Sequence, residues 1–367
     1  MGTAGRRAAA PDHPRAVSTD RQRRRGPARP RLLDVAVRAD VSLGTVSNVL
    51  NHPHRVAPAT RQRVLDAIDQ LGFSRNSMAS ALARGDTRTL GLVVIDLGNS
   101  MFVDVARGAQ HGARDEGYYL QLATADNDAD LLGAHMRVLN EARASGMLIA
   151  PLLGMRDGIE RSRRAGCPVV VLNHEAADYD ACRVLVDNVL VGELAVRHLA
   201  SLGRRHIAFV HARPELQPVA RRLEGVRRAV AATGGAVRLT EVDVGTLEPE
   251  SGSEAGGRLA ALDPDERPDA VLAVTDVLAM AVLNELVAAG FGVPEDFAVM
   301  GCDHNSATWG GTVALTSVTM EGKTMGAEGV RLLLRELEQD PAEHTHTTVV
   351  LQPRVVPRES TVGRTVR

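Results

Sequence analysis

Residues 32–50, LLDVAVRADVSLGTVSNVL, decide how this chain is read. Leu33, Ala36 and Val37 recur at i, i+3 and i+4, the spacing of one face of a short amphipathic helix, and Val46, Val49 and Leu50 repeat that spacing after a break. Ala39-Asp40-Val41-Ser42 lies between the two faces and reads as a turn. Asp40 tolerates left-handed backbone better than most residues, and the Ser42 hydroxyl suits an N-cap, so a second helix is predicted from about Leu43. Two such helices form a helix-turn-helix, whose second helix enters the major groove and turns its N-terminal side chains toward base edges. On that reading Leu43, Gly44, Thr45, Ser47 and Asn48 face DNA. Asn pairs bidentately with adenine, Thr and Ser are permissive, and Leu43 can pack on a thymine methyl. An ordinary helical hairpin has the same pattern, so the flanking residues must separate the two readings.

Downstream, Val56-Ala57-Pro58-Ala59-Thr60-Arg61 opens a third helix with Pro58 in its first turn; Val64, Ala67, Ile68 and Leu71 form its buried face, and Gly72 stops it. FSRNSMASAL (73–82) follows. Upstream, residues 1–30 carry RRR at 23–25 among Ala, Pro and Gly and read as a disordered Arg-rich arm, either a source of phosphate contacts or an over-extended start. Charge is divided unevenly along the 367 residues. Residues 1–84 hold 15 Arg against 6 acidic residues, and the remainder holds 28 basic against 39 acidic, within a net charge of only −2. A basic module on an acidic body is the electrostatic footprint of a polyanion ligand. Only Lys323 among the 43 basic residues is a lysine, so the asymmetry carries this inference and the Arg count does not.

From Thr89 the texture changes. Residues 90–95, 146–150, 169–172, 207–210, 270–274 and 298–301 are short continuous apolar runs of the kind that form buried parallel strands. Amphipathic segments at 103–116, 190–202, 222–232 and 278–289 alternate with them, which predicts βαβ units and doubly wound sheets. Ligands in such sheets bind beyond the carboxyl ends of strands. Asp96, Asn173, Thr275-Asp276 and Asp303 stand at those ends.

Cys167, Cys182 and Cys302 fit no CxxC pattern and read as buried thiols in a reducing cytoplasm; no metal and no cofactor is expected. No apolar stretch approaches 18 residues, and the N-terminus lacks the apolar core of a secretory signal, so a cytoplasmic, nucleoid-associated protein without a membrane span is expected. No GxGxxG follows the first strand, and no P-loop, nucleophile elbow or HExxH occurs, so no enzyme is expected. A solute-binding protein of a transport system shares a two-lobed α/β body and is the alternative, disfavoured by the attached helix-turn-helix.

Asp34-Val35-Ala36, Val41-Ser42, Thr45-Val46-Ser47, Val49-Leu50-Asn51, Thr60-Arg61, Leu71-Gly72-Phe73, Asn76, Ala79 and Leu82-Ala83 together resemble the lactose-repressor (LacI/GalR) family of transcription regulators. The resemblance runs over roughly residues 32–362, through LGLVVIDLGNSMFVDVARG, LVDNVLVGELAVRHLASLGRRHIAFV, RPDAVLAVTDVLAMAVLNEL, FAVMGCDHN and LQPRVVPREST in order. It implies an α/β chain with an N-terminal three-helix helix-turn-helix DNA-binding domain (31–76), a hinge helix (77–86) and a periplasmic-binding-protein-like core (87–367). That core has two doubly wound parallel-sheet subdomains, the chain crossing between them three times.

The resemblance adds Asn51, Arg55, Asn76, Ala79 and Leu82 to the DNA-binding set, with the hinge folding only on DNA and Leu82 wedged into the minor groove. It implies a dimer on a pseudo-palindromic operator, repression of transcription, and a small-molecule effector, a sugar or related metabolite, in the interlobe cleft. Asp96, Asn99 and Phe102 would line the first lobe, and Asn173, Arg222, Thr275 and Asp303 would reach in from the other lobe or the crossing strands. Plainer roles stay open: Asp96 and Asn99 as helix caps, Asp303 as a turn residue, Arg222 as an ion-pair partner of Glu224, Asp187-Asn188 as a crossing or N-cap pair. Trp309 either stacks on a sugar or fills a surface. Asn48 stands where many members have Arg, Asp40 where Gly is usual, Ser74-Arg75 before Asn76 where a residue-Pro pair is common, Met320 where Gln is frequent, and Gly322 where some carry a larger side chain. Residues 351–367 hold no heptad run, so a dimer and no tetramer is expected.

Overall fold

A computed structural model describes residues 30–73, 87–175, 179–304 and 313–363. The chain divides into two compact units, Met1–Ser80 and Ala81–Arg367. The Arg-rich arm, the hinge with Asn76, Ala79 and Leu82, residues 74–75 and Trp309 lie outside the described residues.

The first unit contains α1 (Leu32–Ala39), α2 (Leu43–Asn51) and α3 (Pro58–Leu71). Asp40 ends α1 in the left-handed region (φ 51°), where a short polar side chain costs less than a branched one. The Ser42 hydroxyl then accepts the Thr45 N–H at 3.1 Å and starts α2 at Leu43. Replacing Ser42 by Ala should lower the stability of this unit by about 1 kcal/mol, read from its urea midpoint, because one of the orphan N–H groups of α2 loses its partner. Gly72 closes α3 at φ 58°. The core comprises Val35, Ala36, Ala39, Val46, Val49, Val64 and Ala67.

The face predicted for α1 is corrected here. Leu33 and Val37 are 53% and 74% exposed; Ala36 is buried as expected, and Val35 and Ala39 are buried beside it. Six of the eight residues of α1 are apolar, so spacing alone leaves its orientation open, and packing against α3 selects the Val35/Ala39 side.

The second unit has two six-stranded sheets. The first lobe contains β1 (Thr89–Val94), β2 (Tyr119–Thr124), β3 (Gly146–Ile149), β4 (Val169–Leu172), β5 (Cys182–Val186) and, from near the C-terminus, β11 (Thr348–Leu351), in the order β11-β5-β4-β3-β1-β2 and parallel throughout. The second contains β6 (His206–His211), β7 (Arg238–Asp243), β8 (Ala270–Ala273), β9 (Ala298–Asp303), β10 (Thr316–Thr319) and β12 (Val355–Val356), in the order β12-β10-β9-β8-β6-β7, with only β12 antiparallel. The chain passes between the sheets after β5, after β10 and after β11.

Helices pair over the sheets. In the first lobe α4 (Ser100–Asp115) packs on α11 (Gly322–Glu338), and α5 (Ala129–Glu141) on α6 (Arg156–Arg164); in the second, α7 (Asn188–Ser201) packs on α8 (Gln217–Ala231), and α9 (Pro249–Ala260) on α10 (Asp276–Ala288). A short α12 (Glu359–Val362) packs on β9. Central strands such as β3, β4 and β8 are buried at every position, as sheets covered on both faces require. Glycines let the helices meet at backbone distance. A Cβ on Gly108 would overlap the Lys323 carbonyl where α4 meets α11, and one on Gly225 would overlap the Val189 carbonyl where α8 meets α7. Gly322 belongs to the first of these contacts: a Cβ there would come within 3.0 Å of the Met101 carbonyl oxygen, so a larger residue does not fit without a shift.

All three described cysteines are buried and free. Burial pushes the Cys167 and Cys302 thiols up to about 12, which keeps them protonated and unreactive at neutral pH. Among the described residues no helix is long and apolar enough to cross a membrane.

Candidate functional site

Beyond the carboxyl ends of the parallel strands the two lobes enclose a cavity of about 230 Å³. Its walls follow from topology. Ile95, Asp96 and Asn99 come after β1, Asn127 after β2, Pro151 after β3 and Asn173 after β4; Gln217 and Arg222 come after β6, Glu248 after β7 and Thr275 after β8. Phe102 closes the wall from the first turn of α4.

Six of the seven residues expected to meet an effector, Asp96, Asn99, Phe102, Asn173, Arg222 and Thr275, line this cavity together. Two placements differ from expectation. Asn173 belongs to the first lobe, because β4 pairs in parallel with β3 and β5 and the chain crosses only after β5. Asp303 is not in the wall: it lies behind Arg222, with its side chain 1% exposed and its Oδ1 3.6 Å from Nη1.

Several of these groups also hold the fold. Asn99 caps α4, accepting the Met101 N–H at 2.9 Å, and Asp96 accepts the Gly98 N–H at 2.8 Å. The Thr275 hydroxyl accepts the Leu278 N–H at 3.3 Å and caps α10. Asp187 caps α7 through the Leu190 N–H at 2.9 Å. Glu224 is not the partner of Arg222; it pairs with Arg221 and Arg228.

Arg222 is the most constrained cation in the cleft. Its Nε donates to Asn188 Oδ1 at 3.0 Å, its Nη1 to the Val274 carbonyl at 2.5 Å, and its Nη2 to the Met320 sulfur at 3.5 Å. Met320 thus supplies a weak acceptor at a fully buried position. Asn188 Nδ2 in turn donates to Asn173 Oδ1 at 3.0 Å. Asn173 adopts φ 51°, a conformation Asn accepts more readily than most residues. A hydrogen-bonded line therefore runs from α8 through the first crossing to the end of β4.

Burial pushes the Asp303 carboxyl up to about 7, and neighbouring Asp276 adds to that rise while Arg222 opposes it. Asp276 is itself held by the Ser317 hydroxyl at 2.6 Å. At the rim, Arg213 donates to Asn127 at 3.2 Å, and Glu175 receives Arg221 at 2.9 Å while its N–H donates to Gln217 at 2.6 Å, so residues of both lobes bridge the opening.

Sequence reasoning missed Asn127, Glu248, Gln217 and the linking role of Asn188. Asn127 and Glu248 follow β2 and β7, edge strands whose exposed and half-buried residues form no continuous apolar run. Burial together with nearby Asp96 raises the Glu248 carboxyl above its ordinary value.

On α2, Leu43, Gly44, Asn48 and Asn51 are exposed, and Thr45 and Ser47 are partly so. Leu43, Ser47 and Asn51 form one stripe at i, i+4 and i+8, with Gly44 and Asn48 beside it. Asn51 Nδ2 donates to Ser47 Oγ at 3.2 Å, and Thr45 Oγ1 lies 2.9 Å from Ser42 Oγ. Arg55, in the short 3₁₀ turn after α2, is exposed. A Cβ on Gly44 would meet nothing nearer than Ser42 Oγ at 3.7 Å.

A helix-turn-helix unit and a two-lobed α/β body on one chain are the parts of a DNA-binding transcriptional regulator. The family model described as bacterial regulatory proteins, lacI family, matches residues 31–76, and one described as a periplasmic binding protein-like domain matches residues 196–361. Catabolite control protein A of Priestia megaterium is 30% identical over 335 residues, covering 90% of this chain and 98% of its own. The HTH-type transcriptional repressor PurR of Mannheimia succiniciproducens is 29% identical over 89% of this chain and 97% of its own. Among solved structures, the transcriptional regulator CelR-cellobiose complex aligns with a TM-score of 0.63 at 29% identity, covering 90% of this chain and all of that one. The lac repressor dimer bound to operator and the anti-inducer ONPF aligns with a TM-score of 0.73 at 21% identity over 90% and 99% of the two chains, a likeness of fold. The chain belongs to the LacI family of bacterial regulatory proteins.

Proposed function

We propose that this chain acts in the cytoplasm as a repressor, binding a pseudo-palindromic operator as a dimer and switched by a neutral, hydroxyl-rich effector, a sugar or related metabolite, held between its lobes. The observation carrying the effector reading is the cavity at the strand ends, whose wall combines amides, carboxylates and one guanidinium from both lobes. Amides and carboxylates donate to or accept from hydroxyls, and Arg offers a fixed fork of donors. Among the described lining residues Asp96 and Glu248 set two carboxylates against one Arg already neighboured by Asp303, a balance that disfavours phosphorylated ligands. Cellobiose bound to the related regulator CelR supports the same ligand class. The volume lies below the several hundred Å³ usual for drug-sized ligands, which favours a compact molecule.

A thermal-shift screen of the full chain against neutral sugars, polyols and their phosphate esters tests this, followed by operator titration with each hit. Neutral hits that change operator affinity are expected. Stabilisation by phosphate esters alone would overturn the effector class.

The DNA-binding set is Leu43, Gly44, Thr45, Ser47, Asn48, Asn51 and Arg55 on the described unit, with Asn76, Ala79 and Leu82 beyond it. Operator affinity should fall steeply with salt, because each phosphate contact contributes about −0.9 to the log–log slope; for 6–10 contacts the loss between roughly 50 and 200 mM is on the order of 10³–10⁵. A flat plot would count against a basic DNA-binding module.

A further inference from the structure

Cys182 opens β5 at the far side of the first sheet from β2, and its thiol points at two histidines from the segment between α11 and β11. Cys182 Sγ lies 3.3 Å from His344 Nε2 and 3.7 Å from His346 Nδ1. Glu336, near the end of α11, places Oε2 3.6 Å from His344 Nε2. One ligand atom from each of these four residues falls within 4.8 Å of all the others. With Zn–S near 2.3 Å and Zn–N near 2.0–2.1 Å, a tetrahedral ion separates its sulfur and nitrogen ligands by about 3.6 Å. The two observed separations bracket that value.

The surroundings are also those of a metal site. His344 Nδ1 lies 2.7 Å from Gln339 Oε1, an acceptor that fixes the proton on Nδ1 and leaves the Nε2 lone pair directed at the cluster. Asp180 Oδ1 lies 3.2 Å from His346 Nε2. Arg163 Nη2 also approaches that nitrogen, at 2.9 Å; an ion on Nδ1 would keep the proton on Nε2 and so select the Asp180 contact. Arg163 Nη1 donates to Glu336 Oε1 at 2.8 Å, which orients the carboxylate and leaves Oε2 facing inward. That Oε2 is buried without a hydrogen-bond partner, on a side chain only 9% exposed. A buried carboxylate oxygen with no donor is costly unless a cation satisfies it.

We infer that Cys182, Glu336, His344 and His346 bind one divalent transition-metal ion of the zinc type. Four protein ligands, S, N, N and O, are the number that fills a tetrahedral zinc coordination sphere, as in sites that staple structure. Cys182 enters as the thiolate, its proton passing to solvent as the Sγ–metal bond forms. The ion would tie residues 339–347 to β5 and α11, just before β11 leads into the third crossing. Sequence spacing does not reveal it, because the ligands come from three separated segments.

Full-length protein, reduced and stripped with chelator, is titrated with Co²⁺. One equivalent should bind with thiolate-to-cobalt charge-transfer absorption and be displaced by Zn²⁺. Cys182→Ser should lose that absorption, and His344→Gln should weaken binding at least tenfold with an unchanged circular-dichroism spectrum. If Cys182→Ser does not fold, Asp180→Ala decides: this exposed carboxylate can be removed without disturbing the core, and affinity should fall on the order of 10–100-fold. Absence of charge-transfer absorption in the parent, its persistence in a folded Cys182→Ser, or parental affinity in Asp180→Ala would overturn the site.

Discussion

Arg222→Met should destabilise the body at both pH 5 and pH 8, and more at pH 8. The Asp303 carboxyl, ordinarily near 3.8, is pushed up to about 7 mainly by burial. Below pH 4 it is protonated in both the folded and unfolded chain and contributes nothing to the pH dependence. Between about pH 4 and 7 the unfolded chain has lost this proton and the folded chain retains it, so this group makes stability fall as pH rises; above 7 its contribution is level. Removing the guanidinium 3.6 Å away extends that fall to higher pH. By linkage the deficit of the variant should therefore be larger at pH 8 than at pH 5 by up to about 1.4 kcal/mol, the worth of the one pH unit by which pH 8 exceeds the Asp303 value of about 7. At pH 5 Asp303 is neutral in the folded parent and the folded variant alike, and the loss is that of the donors to Asn188, Val274 and Met320. Urea unfolding of the full chain followed by far-ultraviolet circular dichroism at both pH values measures this. Adding Asp303→Asn should return most of the extra loss at pH 8. Equal deficits at the two pH values would show that Arg222 acts there by packing alone.

Gly225→Val should cost about 3 kcal/mol, the upper end of what overpacking usually does, because the atom it meets cannot rotate away. A Cβ at Gly225 would overlap the Val189 carbonyl oxygen, and one at Gly192 on the facing helix would overlap the Arg222 carbonyl oxygen. Both obstacles are backbone, so relief requires α7 and α8 to separate. That separation moves Arg222 away from Asn188, 3.0 Å apart at present, so binding of any hit from the effector screen should weaken along with stability. Gly257 in α9 is the control: a Cβ there meets nothing nearer than Glu285 Oε1 at 4.0 Å, and Gly257→Ala should stabilise by up to about 1 kcal/mol through helix propensity. Denaturation midpoints of the two variants should move in opposite directions. If Gly225→Val unfolds at the parental midpoint, close helix approach is not what sets the distance between Arg222 and Asn188.

Much of the architecture was legible because burial on both faces writes a strand as an unbroken apolar run. The runs at 90–95, 146–150, 169–172, 207–210, 270–274 and 298–301 became β1, β3, β4, β6, β8 and β9. The edge strands β2 and β7 bury none of their residues fully and have no such signature, and the cavity residues that follow them went unread with them. Asp40, Ser42 and Gly72 were legible for a different reason: each satisfies a local backbone demand that no tertiary contact has to confirm. The orientation of α1 was not legible, since Leu33/Val37 and Val35/Ala39 are equally good apolar faces until α3 packs on one of them. Depth was invisible too. Asp303 stands at a strand end just as Asp96 does, yet its side chain is buried beside Arg222 while Asp96 lines the cavity.

The line of donors and acceptors from Arg222 through Asn188 to Asn173 is made entirely of the protein's own atoms. Entry of the proposed effector would then be an exchange, in which the newcomer sheds its water and takes over valences that the protein already fills with its own atoms. Such swaps leave little net gain for a molecule that matches only one end of the line, and the mismatch leaves a buried amide or guanidinium unpaired. Discrimination would then rest on these existing bonds, which set the threshold a guest must exceed. Because this line passes through Asn188, beside which the backbone first changes lobes, a guest that broke it would also loosen a tie between the two halves.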